Sequence, residues 1–535
     1  MPIDVDTPES PGWWLKFLQA KLDAKRKRIQ PLYDRFEGNA PLPRSMEAAP
    51  ESARRFFKTS RTNLADMLVK AVRYRLKVAR IHTSVDAGEA GDAAAWLAWR
   101  KAGMQVEGPE IIRHMLISGD GFGMVAMDDD GPAATSEDPR QVITEHDPVR
   151  QSRMRAAAKF FRDEVRATDF AYLYLPGRVF VASRERKASA GSAVSKFSTA
   201  WDWSEDHGGA AGKALPQGFE RDMMIVRYRN DEAVGDYERH TDILDRLDHL
   251  ILQGMVIATL QAFKQRGIKV ADEDMPDRDP DTGEEIDYDE VFSSDPGALW
   301  KLPASADMWE SGAVDLTPIT TLATKELERI SAVTFTPLSM FTPEGANQSA
   351  QGASLVREGM TFKVEDKQER IGEAHALMAS LIFRLTGESL AASADPFAIQ
   401  IGWAPAERFS LTERAQASVY LKNAGVPFRT MLREAMQFSP EQIARAESER
   451  MNDLMTLTDL PATTAATTAA ADGAQTATPV VQDGQPTPAD LKARFDALGI
   501  AIRAGVDPDD AARQVGLPGV KFTGMTPVSL RPQGE

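Results

Sequence analysis

The chain has 535 residues, 42% hydrophobic and 27% charged, with 23 Phe and 9 Trp. That is too long for one hydrophobic core and too apolar for wholesale disorder, so several folded domains are expected. It contains no Cys, which excludes disulfides and thiolate metal sites, and its formal net charge of −16 argues against a conventional DNA-gripping protein.

No apolar run approaches the roughly 20 residues that span a bilayer. The N-terminal MPIDVDTPESPGWW has neither a basic n-region nor a continuous apolar h-region, so it does not read as a secretory signal. The protein is expected to fold in a reducing cytoplasm.

Residues 12–100 read as helices. Trp13 to Leu18 lead into a basic helical segment through Arg28, Thr62 to Val69 form a second, and Ala93 to Lys101 a short third carrying Trp96 and Trp99. Ile111 to Leu116 is helical, and Gly119-Asp120-Gly121-Phe122-Gly123 reads as a hairpin turn into the apolar run Met124 to Met127. Strand-like alternation recurs at Phe170 to Leu175, Arg178 to Ala182 and Met223 to Tyr228. Pro176-Gly177 predicts a hairpin between the first two. The fold class is therefore α+β and mostly helical.

From Thr241 the pattern changes. Thr241 or Asp242 offers a cap, and Ile243, Leu247, Leu250, Ile251, Ile257, Leu260 and Phe263 recur at helical spacing until Gly267 supplies a stop. About 25 such residues make a rod of roughly 37 Å. Gly254 and Ala258 permit close approach, and so apolar a rod needs neighbours on several sides.

Residues 271–316 interrupt with an acidic, proline-bearing segment in which Phe292, Leu299, Trp300 and Trp309 suggest packing between subunits or against a partner. A solvated charge run is the plainer meaning of the acidic part. Thr317-Pro318 then opens a helix that cannot run cleanly past Pro337. A loop of small and polar residues follows, and a long helix from about Gly352 to Leu385 carries Gly359 and Gly372 as bend points. A short strand (Phe397 to Trp403) and helices at Leu411 to Ala424 and Pro440 to Leu457 come next. Residues 458–490 read as an Ala/Thr/Pro-rich linker, and a helical pair, Pro488 to Arg503 and Asp507 to Val515, closes the chain.

No catalytic constellation is found. Asp277 to Gly283 has its glycine one place late for a calcium loop, with Tyr288 where a bidentate Glu belongs. Gly208 to Ala214 lacks the spacing of a phosphate loop and the Ser/Thr after its lysine. The seven histidines show no HxH or HxxxH pair, so no metal or cofactor is indicated; His114, His240 and His249 read as core-edge or solvated.

The order long helix, acidic insert, helix, small-residue loop, long helix resembles the portal proteins of long-tailed bacteriophages, as in phages of actinobacteria and related hosts. Four strings carry the likeness: His240-Thr241-Asp242-Ile243-Leu244-Asp245-Arg246, Val256 to Phe263, Asp295-Pro296-Gly297-Ala298-Leu299-Trp300 and Gln351 to Gly359. The resemblance implies a non-enzymatic virion protein at one capsid vertex, a twelve-subunit ring around a channel for double-stranded DNA. It implies a wing from 1–240 and 352–399, stem helices at 241–270 and 317–335, a clip at 271–316, a tunnel loop at 336–351 and a crown at 400–457. A linker (458–490) and a C-terminal helical segment (491–535) complete it.

The implied DNA-facing residues are Gly345, Ala346, Asn347, Gln348 and Ser349. Stem packing falls to Leu247, Ile251, Gly254 and Ala258, and partner contact to Phe292, Leu299, Trp300 and Trp309. The implied partners are terminase, a head–tail adaptor, and the major capsid and scaffolding proteins, with no membrane. Another virion structural or adaptor protein, and a metal-dependent nuclease, are the competing readings.

Overall fold

Ser10 caps the first helix, its Oγ accepting from the Trp13 N–H at 3.2 Å with Pro11 in the first turn. The structure is a computed structural model, and it describes residues 3–42, 50–88, 91–185, 201–262, 266–269, 278, 282–283, 285, 307–310, 312, 314–342, 350–407, 411–438, 440–458, 494, 498 and 507–517.

In chain order come α1 (Pro11–Phe36), α2 (Glu51–Thr59), α3 (Leu64–Arg73), β1 (Val78–His82), α4 (Ala93–Lys101) and α5 (Met104–Ser118). Strands follow: β2 (Asp120–Asp128), β3 (Gly131–Glu137), β4 (Val142–His146), β5 (Met154–Asp163), β6 (Thr168–Leu175), β7 (Arg178–Glu185), β8 (Asp202–Trp203), β9 (Lys213–Ala214) and β10 (Ile225–Arg229). Then α6 (Thr241–Ala262), β11 (Arg266–Lys269), β12 (Asp307–Glu310), α7 (Thr317–Thr334), α8 (Ala350–Thr386) and β13 (Gln400–Trp403). Last are α9 (Leu411–Asn423), α10 (Phe428–Glu434), α11 (Pro440–Thr458) and α12 (Pro508–Gln514).

The chain divides into two units, Met1–Asp453 and Leu454–Glu535. In the second, Asp507 caps α12, and Leu498, Ala511 and Ala512 form a small buried cluster. The first holds the main cores.

Strands β10-β2-β3 make one antiparallel sheet and β4-β5-β6-β7-β8 a meander, with β9 also on β7. Alternation sorts their side chains. Ala156, Ala158 and Phe160 of β5 face the first half of α1, where Trp14, Leu15, Leu18 and Leu22 line up at helical spacing. Ala157 faces the other way, joining Val142 and Tyr174 against Phe122 and Ile225 of the smaller sheet. The smaller sheet's second face, with Val125, Val226 and Tyr228, packs on α5 and on Met360, Val364, Ile371, Met378 and Ile382 of α8. The second half of α1 (Ile29, Leu32, Tyr33) reaches this same core, so one helix ties both together.

Several expectations change here. Residues 12–100 are not all helix: Val78–His82 is a strand, paired antiparallel with β13 so that Ile81 opposes Ile401. The partner lies far along the chain, and no local pattern announces it. Gly119 to Gly123 is not a hairpin turn. Gly119, at φ 85°, ends α5, and Gly121 and Gly123 lie within β2. They are glycines because of crowding: a Cβ on Gly121 would sit 2.4 Å from the Ile111 carbonyl oxygen, and one on Gly123 would press on Ile111 and Met378.

The basic run of α1 is structural. Lys25 pairs with Asp120 at 2.6 Å, and Arg28 donates to Ser118 O and Glu238. Arg227 reaches Asp120 from β10 at 2.7 Å, so two cations hold one buried carboxylate. Burial opposes ionisation of Asp120, yet the two cations outweigh it and keep its pKa below the usual carboxylate range.

His114 is buried rather than core-edge, 2.7 Å from the Tyr33 hydroxyl, and burial pushes its pKa down to about 4. His375 is enclosed by Trp99, Tyr228 and Trp403, with the Tyr228 hydroxyl 2.8 Å from Nδ1, and burial pushes it down to about 3. Both imidazoles are neutral near pH 7, and each shares a hydrogen bond with a tyrosine hydroxyl.

Gly121→Ala should cost about 2 kcal/mol, because backbone rather than a movable side chain blocks the added methyl; thermal unfolding of the purified protein reads it. The histidines set a pH dependence. Their folded pKa values lie below the unfolded value of 6.5, so the unfolded chain binds more protons in the interval between. Their stabilisation is complete above pH 6.5 and is lost as pH falls toward 4 and 3, by up to about 1.4 kcal/mol per pH unit for each. The melting temperature should therefore drop between pH 7.5 and 5, and the drop should be shallower in a His114→Gln/His375→Gln variant.

Candidate stem and channel site

Helices α6 and α7 run antiparallel, as three contacts establish. Arg246 pairs with Glu326 at 3.0 Å, Gly254 faces Ile319, and Gln261 Nε2 donates to the Val314 carbonyl at 2.9 Å. Beyond them the excursion continues as a ladder: β11 and β12 pair antiparallel, with Gly267 opposite Trp309. The described part of α6 ends at Ala262, and Gly267 lies in a strand, so it is not the helix stop expected of it. At α7 the cap also differs. Thr317 is the first helical residue, and Asp315 Oδ1 accepts its N–H at 2.9 Å.

Among the residues expected to pack the stem, Leu247 is buried and Ile251 and Gly254 are partly covered, whereas Ala258 is exposed. A Cβ on Gly254 would meet Ile319 at an ordinary 3.6 Å, so the α6–α7 contact does not itself require glycine there. Trp309 is 61% exposed on β12. Phe292, Leu299, Trp300 and the loop residues Gly345, Ala346, Asn347, Gln348 and Ser349 lie outside the described residues. So do most of the acidic insert, the linker at 458–490 beyond Thr458, and most of the first C-terminal helix.

Glu326 is the buried charge of the pair. Burial works against its ionisation, but the hydrogen bond from Arg246 and the charges of Arg246 and Arg329 outweigh that and lower its pKa. A groove of about 800 Å³ opens beside it, between α6, α7 and the α2 region, lined by Phe57, Arg61, Asp248, Leu252 and Leu322 among others. Asp248 accepts the Thr62 N–H at 2.9 Å, and burial raises its carboxyl pKa.

At the base of the pair, α7 stops abruptly. Phe335 takes the left-handed conformation (φ 53°, ψ 33°), and its N–H donates to the Ser331 carbonyl. Its ring lies on α8 where Gly359 leaves room: a Cβ there would stand 3.1 Å from Cδ1. Gly359 therefore has a packing reason, whereas a Cβ on Gly372 would meet Trp403 at an ordinary 3.8 Å; α8 is continuous through both expected bend points. Lys363 of α8 donates to the Thr334 carbonyl at 3.1 Å and pairs with Asp236 at 3.0 Å. Lys367 holds the same carboxylate at 2.9 Å and donates to Asn230 Oδ1 at 2.8 Å. Burial would raise the Asp236 pKa, but the two ammoniums outweigh it and hold it well below the usual range. Sequence reading missed this cluster; two lysines one helical turn apart were the only signal.

Among the described residues, no group of three or more His, Asp or Glu is placed to hold a metal ion, and no helix is long and apolar enough to cross a membrane. Gly208 to Ala214 forms one short 3-10 turn (Gly209–Ala211) and a strand (Lys213–Ala214), not a loop leading into a helix N-terminus.

The family model described as "Phage portal protein, SPP1 Gp6-like" matches residues 15–453. The chain belongs to that family. The match ends at the residue where the first structural unit ends. A portal protein is a structural component of the capsid vertex, and the mixed, mostly helical fold is that of the portal family. Solved structures similar to the chain include one titled "Virion of native gene transfer agent (GTA) particle", at 13% identity and TM-score 0.39, covering 76% of this chain and 98% of that one. "Neck of empty GTA particle computed with C6 symmetry" aligns at 12% identity and TM-score 0.40, over 72% and 93%. "Neck of native GTA particle computed with C12 symmetry" aligns at 13% identity and TM-score 0.35, over 76% and 97%. A comparison with curated proteins finds no match.

Proposed function

We propose that this portal protein assembles as a twelve-membered ring at one capsid vertex and that double-stranded DNA passes through the ring during packaging and ejection. The observation that carries the proposal is the family match over 15–453, which contains the whole α6–α7–α8 arrangement. In this reading 241–270 and 317–335 are the stem, 336–351 the tunnel loop, and 271–316 the clip that meets terminase and then a head–tail adaptor. Residues 1–240 and 352–399 are the wing, among the capsid and scaffolding proteins, and 400–457 the crown.

Unburied apolar surface supports assembly. Leu322 and Val333 of α7 are 53% and 43% exposed. Helix α9 has no buried residue at all, yet it displays Leu411, Val419 and Tyr420. A 13-residue helix is marginal in water by itself, and neighbouring copies would cover these faces. Charge supports a passage that does not grip. Each phosphate neutralised by a cation adds salt-dependent affinity, and residues 336–351 contain no Lys or Arg in a chain of net charge −16.

Negative-stain images of the purified full-length protein should show rings with a central hole and twelve-fold class averages; a population of isolated subunits at every concentration would refute the assembly. Asn347→Lys and Gln348→Lys would each place a ring of cations at the proposed tunnel loop. Packaged DNA per particle is expected to fall, and packaging and retention indistinguishable from wild type would remove Asn347 and Gln348 from the channel wall.

A further inference from the structure

We propose that Lys363 is a latch: a positioning residue on α8 that fastens both ends of the α6–α7 excursion to the long helix and so sets the angle at which that excursion leaves the body. Asp236 stands five residues before α6, and Thr334 is the last residue of α7. The single ammonium of Lys363 holds both, at 3.0 and 3.1 Å. The two ends of the detour between Asp236 and Thr334 are thereby tied to one point on α8.

Charge accounts for the arrangement. Asp236, Lys363 and Lys367 have side chains only 3%, 15% and 6% exposed, two cations to one anion. An uncompensated buried cation is costly, so the second lysine needs another negative partner. The C-terminus of α7 supplies it, because unpaired carbonyls there carry the negative end of the helix dipole. Helix α7 has no basic residue in its own last turn. Lys363 provides that cation from another helix. Lys367, one turn further on, reaches Asp236 and Asn230 but no atom of α7.

The joint that Lys363 spans also contains a residue in the left-handed backbone conformation. Phe335 is a bulky residue held at positive φ, a conformation that persists only when the surroundings impose it. Its surroundings are the Gly359 gap, the Ser331 hydroxyl donating to Thr336 O at 2.7 Å, and the Lys363 bond at Thr334. Releasing Lys363 frees α7 to pivot about Phe335.

The chain lacks cysteine, and either lysine can be removed leaving one Asp236–lysine pair of zero net charge, so single variants should fold. Hydrogen exchange of the full-length protein then separates the two lysines. In Lys363→Met the amides of residues 331–336 should lose protection roughly tenfold, relative to mid-helix amides of α7, while Lys363→Arg largely restores it. In Lys367→Met those amides should keep wild-type protection, although the whole protein melts lower. Equal loss in both methionine variants, or none in Lys363→Met, overturns the latch. The consequence for a DNA channel rests on the stem and tunnel-loop reading above, but the exchange measurement reads the joint itself, so either can fail alone.

Discussion

The architecture depends on burying one stripe of α8. At 1.5 Å per residue its 37 residues make a rod of about 55 Å, too long for any single layer to cover. Met360, Val364, Ile371, Met378 and Ile382 form the stripe, and the β10-β2-β3 sheet with α5 forms its bed. That bed works only because Gly121 and Gly123 let the sheet sit against α5 without an intervening side chain. The meander packs on the sheet's other face, and α1 spans both cores. The α6–α7 pair then projects from a body already held by α8.

The distribution of charge follows from the same economy of space. The chain is acidic overall, yet several of its cations are spent on buried carboxylates. Lys25 and Arg227 neutralise Asp120, Lys363 and Lys367 neutralise Asp236, and Arg246 with Arg329 neutralises Glu326. A basic run such as Lys25 to Arg28 therefore says little about phosphate binding until its partners are known. Each of these carboxylates sits at a junction between elements distant in sequence, where it is the loss of the carboxylate, shared by two cations, that would leave charge uncompensated.

The same holds for the two enclosed histidines. Each is neutral because it is buried, and each shares a hydrogen bond with a tyrosine hydroxyl. They belong to the packing of the body, around α5 and around α8, and not to the antiparallel excursion.

The features legible in the chain before folding are local and ordinal. Periodicity marked α7 and α8 to within a few residues, Pro176-Gly177 marked the β6–β7 hairpin, and the order of helices, insert and loop carried the resemblance that the family match upheld. Tertiary structure decided what depends on partners far along the chain. It paired β1 with β13, turned Gly119 to Gly123 from a hairpin into a helix end and a crowded strand, and placed Gly267 in a ladder. It also brought Asp236, Thr334 and Lys363 to one point. The physical reason is common to all: spacing reports which face of an element is apolar, but which neighbour fills that face, and which charge a buried lysine meets, is settled only when the layers close.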